Sequence, residues 1–250
     1  MPAPLQDIRE EATELVERAE GEGTLLRLLG GLAVALHCRS AERPALKREY
    51  GDIDVAALSR QSRGVKGLLE GRGYVPNEMF NAIRGGSRLM YFDLANRRRL
   101  DVFLDRFSMC HTIDLRPRLP LARPTLPLAD LLLTKLQVYQ ITQKDLIDIT
   151  ALVLDHEVAQ EEGQEVINGC YVAALCSRDW GLYRTSTRTL EACLALLPKL
   201  PLEEGERSVV ADRLGRLRAM IEEVPKSLRW RLRARLGERV RWYKLPEEPE

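Results

Sequence analysis

No apolar run in this chain approaches the length of a membrane-spanning helix, so insertion into a bilayer is not expected. Its first residues, Met1-Pro2-Ala3-Pro4, lead into a charged amphipathic stretch where a secretory signal would have an apolar core, and secretion is not expected either. There is no Cys-x-x-Cys. The five cysteines, Cys38, Cys110, Cys170, Cys176 and Cys193, are scattered and odd in number, which argues against a zinc or disulfide framework and for reduced thiols in the cytoplasm. Net charge is nearly absent at +1, so any preference for a charged partner must come from local patches. Internal repeats are missing as well. With 45% of 250 residues hydrophobic and 30% charged, the chain can bury a sizeable core in one or two domains.

Apolar residues at helical spacing predict a helix over residues 5–20, closed by Gly21-Glu22-Gly23. A short apolar strand, 24–29, then meets Gly30-Gly31, which turn the chain into a helix over 32–37. After a polar loop, 39–49, residues 51–58 read as the next strand, and 65–70 as a helix ending at Gly71. Strands are expected over 87–93 and 99–107, with a hairpin turn at Ala95-Asn96-Arg97-Arg98. The segment 116–124 holds three of the thirteen prolines and reads as a linker. Beyond it helical period dominates, over 128–140, 142–155, 166–176, 189–197, 208–223 and 225–243. The pattern predicts an α/β (α+β) domain over 1–122, followed by an all-helical domain over 123–250.

The chemistry concentrates in Tyr50-Gly51-Asp52-Ile53-Asp54-Val55. On a strand, side chains alternate, so Asp52 and Asp54 share a face. Two carboxylates about 7 Å apart repel by roughly 2 kcal/mol at an effective dielectric of about 20, unless solvated or shared by a cation. Mg²⁺ (or Mn²⁺) is the expected cation, since Mg²⁺ is usually held by one or two carboxylates plus substrate phosphates. Two-metal transfer of a phosphoryl or nucleotidyl group calls for a third acid. Asp101, isolated in the apolar strand Leu100-Asp101-Val102-Phe103-Leu104, is the best candidate, and Asp105 falls on the same face by the period of two.

Gly30-Gly31 at a strand-to-helix turn would let backbone N–H groups approach an anion, or would simply supply a positive φ for a tight turn. On the helix over 128–140, Lys135 lies at the centre of an apolar arc, either meeting a phosphate across a cleft or pairing with Asp145. Asp145 follows Thr142 by three residues, the spacing of a capping box, and sits among apolar positions. Ser108-Met109-Cys110-His111 reads as a strand end more readily than as a metal or thiol site, and Arg97-Arg98-Arg99 as a charged hairpin turn more readily than as an acceptor grip. Over 226–244, basic residues interleave with Trp230, Trp242 and Tyr243, as in an RNA-binding helix. Leu228, Leu232, Leu236 and Val240 there equally describe an ordinary amphipathic helix.

The ordered series Gly30-Gly31, Asp52-x-Asp54, Asp101, Asp130-x4-Lys135 and Lys144-Asp145-x2-Asp148 resembles the nucleotidyltransferase superfamily, specifically its AbiEii/AbiGii toxin-like branch, over residues 24–155. The resemblance implies a small mixed sheet flanked by helices, with the helical domain closing the cleft. It implies that Asp52, Asp54 and Asp101 bind Mg²⁺, that Asp101 is the base toward an acceptor, and that Gly30, Gly31 and Lys135 contact an NTP. The acceptor would be an RNA end, a protein or a small molecule, and a toxin-like role with an antitoxin partner is implied. A non-catalytic nucleotide- or RNA-binding module on the same fold is the alternative. Two positions depart from the superfamily pattern. The usual Gly-Ser is Gly30-Gly31, leaving phosphate binding to backbone N–H groups, and Gln140-Ile141-Thr142-Gln143 fill the stretch where an arginine is expected.

Overall fold

A mixed five-stranded sheet organises the molecule, whose computed structural model describes residues 3–245. Helix α1 (Ile8–Gly21) is capped by Asp7, whose carboxylate accepts from the Arg9 and Glu10 backbone, and buries Ala12, Leu15, Val16 and Ala19. The chain then forms β1 (Leu26–Leu29), α2 (Gly30–His37) and β2 (Asp52–Ala57), with β2 returning antiparallel to β1. Helix α3 (Ser62–Gly71), β3 (Val75–Pro76), α4 (Glu78–Arg84) and β4 (Arg88–Asp93) lead to β5 (Arg98–Leu104). Strand β5 lies parallel to β2 and antiparallel to β4, giving the order β1-β2-β5-β4-β3.

The strand expected over 99–107 is broken. Asp105 has φ 62°, and past it β6 (Arg106–Ser108) folds back on β7 (Thr112–Asp114) as a separate hairpin. The proline-rich segment after β7 does not hang free. Leu28 N donates to Pro124 O at 3.0 Å and Leu126 N to Leu28 O at 2.9 Å, so this stretch covers the outer edge of β1.

Helices α5 (Leu128–Leu136) and α6 (Gln143–Asp155) pack beside α2, and α7 (Gly169–Arg178), α8 (Trp180–Leu196) and α9 (Glu204–Glu223) pack behind them. Between α6 and α7 a short parallel pair, β8 (Glu157–Ala159) and β9 (Val166–Asn168), takes three residues expected to be helical; the helix starts only after the cap Asn168, whose Oδ1 accepts from Tyr171 N. Helix α8 begins nine residues before the expected start of 189, because its inward face is built from Thr185, Ser186, Thr187 and Thr189, which hide the apolar period. Helix α10 (Leu228–Leu236) stops at Gly237, φ 56°, well short of 243. One apolar interior runs through sheet and helices from Ala12 to Ile221.

Candidate functional site

Register brings the acids together. Asp54 on β2 is the direct partner of Asp101 on β5, and Asp52 that of Arg99, so these four side chains project from one face of the sheet. Leu29, the last residue of β1, pairs with Asp54, which places the β1–α2 turn against the same carboxylate. Gly30 in that turn has φ 73°, and a Cβ there would collide with Asp54 Oδ2. Glycine is thus required twice, for the left-handed backbone and for the room.

The electrostatics follow from burial. Asp54 is pushed up to about 7 by desolvation and then by Asp101, with Lys135 pulling the other way. Asp101 is fully buried, which raises its carboxyl above the usual range while Arg88 and Arg99 oppose the shift. Arg88 binds Asp101 Oδ1 through Nε at 3.0 Å and Nη2 at 2.9 Å. Arg99 Nε faces Oδ2 at 2.9 Å, and its Nη2 lies 3.6 Å from Asp52. Neither Arg99 Nε nor Asp101 Oδ2 has an aligned hydrogen bond, which leaves a buried carboxylate oxygen with spare accepting capacity. The donor set fits a hard cation at Asp52 and Asp54. No group of three His, Cys, Asp or Glu among the described residues already converges at metal-ligand spacing; Asp101 is held by its two arginines.

A second ionic network borders the first. Lys135 Nζ lies 2.9 Å from both Asp145 and Asp148, and Arg48 binds Asp148 in a two-pronged pair at 2.7 Å and 2.7 Å. The pairing of Lys135 with Asp145 is therefore present, and it extends to Asp148. Although burial alone would lower Lys135, Asp148 and Asp145 hold its ammonium above the ordinary value. Asp145 also completes the capping box, accepting from Thr142 N and Oγ1. Arg48 stacks on Tyr50, 4.3 Å from the ring centre, and occupies the space that a side chain at Gly31 would need.

Asp105 does not share the face of Asp101, contrary to the period-two expectation. With its left-handed backbone it leaves the period of β5, and its carboxylate binds Ser59 N at 2.9 Å and Ser59 Oγ at 2.6 Å instead of joining the acids. Asp130 is buried against Arg118 at 2.7 Å, tying α5 to the proline-rich segment. Ser108 to His111 form the β6–β7 turn, where Cys110 Sγ accepts from Tyr139 N and His111 Nε2 meets Thr185 Oγ1 at 2.8 Å. The three successive arginines split: Arg98 is buried on Asp93 and the Leu5 carbonyl, while Arg99 enters the site. In α10 the apolar stripe faces solvent, with Leu228 73%, Leu232 54% and Leu236 50% exposed, and Arg233 turns in to stack on Trp180. Arg229, Arg231 and Arg235 are exposed too, so α10 has no fully buried residue and lacks the buried apolar face of an ordinary amphipathic helix.

Sequence reasoning missed Arg48 and Arg88, and placed Arg99 in a charged hairpin turn where the structure has it in β5. Only Arg99 carried a local signal, since Arg99 and Asp101 stand two apart on one strand and must share a face. No protein-family model matches the chain, and no curated protein matches it.

Proposed function

We propose that this chain is a Mg²⁺-dependent nucleotidyltransferase with a nucleotidyltransferase-type core, moving a nucleoside monophosphate from an NTP to a hydroxyl acceptor. The observation that carries the reading is the register pair Asp54–Asp101, with Asp52 on the same face and the Gly30 turn against Asp54. Asp52 and Asp54 would hold the cation. When bound, Mg²⁺ supplies charge neutralisation to the triphosphate. The eight-residue helix α2 starts at Gly30 and aims its free N–H groups where the phosphates would lie.

The acceptor oxygen attacks the α-phosphorus, the bond from that phosphorus to the bridging oxygen of pyrophosphate breaks, and Asp101 takes the acceptor's hydroxyl proton. Positioning and electrostatics provide most of the rate, as is general for such transfers. Arg99, which faces both Asp52 and Asp101, is the group for which an incoming phosphate competes with Asp101, so substrate binding would unmask the base. The ion pairs of Arg88 and Arg99 with Asp101 also favour a second reading, a nucleotide-binding module without turnover.

The test is transfer of label from each of the four NTPs to pooled RNA, protein and small-molecule acceptors with Mg²⁺. Asp52→Ala/Asp54→Ala serves as the control. Labelling by the parent and none by the control is expected; equal labelling by both would sink the proposal. Tight NTP binding with no transfer to any acceptor would leave the binding module as the function.

A further inference from the structure

Past the acids, the same sheet face continues into a basic and aromatic pocket. Arg88 on β4 and Phe103 on β5 are register partners, one alternation along from Met90 and Asp101. With Phe80 and Arg84 of α4, Arg106 of β6 and Lys244 they wall a pocket of about 230 Å³. Four of these six side chains are cationic, with Arg88 paired to Asp101 and Arg106 opposite Asp114 on β7, and no Asp or Glu lines the pocket among the described residues. With Arg88 already held by Asp101, Arg106 and Lys244 are exposed cations that the pocket presents to solvent. The Arg88 guanidinium lies 4.9 Å from the Phe103 ring centre and 5.7 Å from that of Phe80, while its Nε and Nη2 bind Asp101. Arg88 therefore joins the pocket directly to the proposed base.

The sheet order sets the geometry. The Gly30 turn stands at the end of β1, Asp52 and Asp54 on β2, Asp101 on β5 and Arg88 on β4. Adjacent strands are about 4.8 Å apart, so roughly 14 Å separates the turn from Arg88, with the acids between. A triphosphate at the turn and a second anion in the pocket would thus approach the acids from opposite sides, as in-line transfer requires.

We propose that this pocket is the acceptor site and that the acceptor is a phosphorylated hydroxyl compound. Its phosphate lies among Arg84, Arg106 and Lys244, its ring or sugar rests on Phe80 and Phe103, and its hydroxyl is presented to Asp101. Arg106 and Lys244, both exposed, supply charge to the phosphate, and Arg88 aligns the acceptor with the base. The assignment rests on the nucleotidyltransferase reading.

The experiment is calorimetric binding of adenosine 5′-monophosphate, adenosine and a 5′-phosphorylated ribo-tetranucleotide to the full chain. Each is measured on the parent, Arg106→Gln/Lys244→Gln and Asp52→Ala/Asp54→Ala, with a non-hydrolysable NTP analogue plus Mg²⁺ titrated separately. The phosphorylated probes should bind the parent, adenosine at least about tenfold more weakly, and the Arg106/Lys244 double variant should lose about tenfold for the phosphorylated probes alone. The double variant should keep its affinity for the NTP analogue and raise the acceptor KM with kcat nearly unchanged, whereas the aspartate variant should keep monophosphate binding and lose the analogue. Tighter binding of the mononucleotide identifies a small phosphorylated acceptor, and tighter binding of the tetranucleotide a nucleic-acid end. Unchanged monophosphate affinity in the double variant overturns the pocket assignment. Intact monophosphate binding without any NTP binding by the parent overturns the nucleotidyltransferase reading and leaves the anion pocket standing.

Discussion

Replacing Asp54 by Asn should stabilise the fold while abolishing NTP binding, and the gain should depend on pH. Asp54 titrates at about 7 in the folded chain, against an ordinary 3.8, because burial and the neighbouring Asp101 oppose its charge. Its folded value lies above its unfolded one, so between the two the native state keeps a proton that the unfolded chain has released. Stability contributed by this group therefore falls as pH rises through that window. Full ionisation corresponds to about 4 kcal/mol over a gap of about three pH units, an upper bound because water and local relaxation screen the charge. Asn is neutral in both states and escapes the cost. Urea unfolding without divalent cations should show little difference between Asp54→Asn and parent near pH 3. The gain should grow through pH 5 to 7 and level off by pH 8, with about 2–4 °C of Tm per kcal/mol for a chain of this size. Mg²⁺ at pH 8 should raise the parent's Tm and leave the variant's nearly unmoved, since a cation bound only by the native state stabilises it. A gain of equal size at pH 3 and pH 8, or a loss at pH 8, would refute the view of Asp54 as a desolvated acid pressed against a second one.

Three further substitutions probe the surrounding scaffold. Gly30→Ala places a Cβ in a left-handed backbone and against Asp54 Oδ2, and should cost about 1–3 kcal/mol in urea unfolding together with loss of NTP affinity; wild-type behaviour in both assays would remove the close-approach argument. Gly31→Ser must displace the Arg48 guanidinium from Asp148, so in a double-mutant cycle with Arg48→Ala the two losses should fall short of additive by about 1 kcal/mol or more, and strict additivity would show that the two sites do not compete for space. Lys135→Met strands Asp145 and Asp148 beside a single remaining cation, Arg48. With Asp148 only 2% exposed, the change should destabilise the fold by about 3–5 kcal/mol, and a loss below 1 kcal/mol would mean the network is effectively solvated.

Much of the fold is legible because its signals are local. The apolar period of α1 and the Gly21-Glu22-Gly23 stop, the Gly30-Gly31 turn, and the alternation of β2, β4 and the body of β5 can each be read within about a dozen residues. The failures are also local in cause. Helix α8 hides its inward face behind threonines and a serine, α10 carries its leucines outward, and a single left-handed residue, Asp105, ends β5 where alternation alone would have continued it.

By itself the sequence determined that Asp52 and Asp54 share a face, that a lone acid interrupts an apolar strand at Asp101, and that Lys135 stands in an apolar arc, since each follows from the geometry of one element. Only the tertiary structure decided what these groups meet. Parallel pairing of β2 with β5 set Asp54 opposite Asp101, and long guanidinium side chains from β4, β5 and the loop before β2 reached the carboxylates. Packing of α5 against α6 gave Lys135 two acidic partners. Strand register and the reach of arginine are settled between segments separated by 13 to 100 residues, as for Arg88 to Asp101 and Arg48 to Asp148, and no local periodicity encodes them.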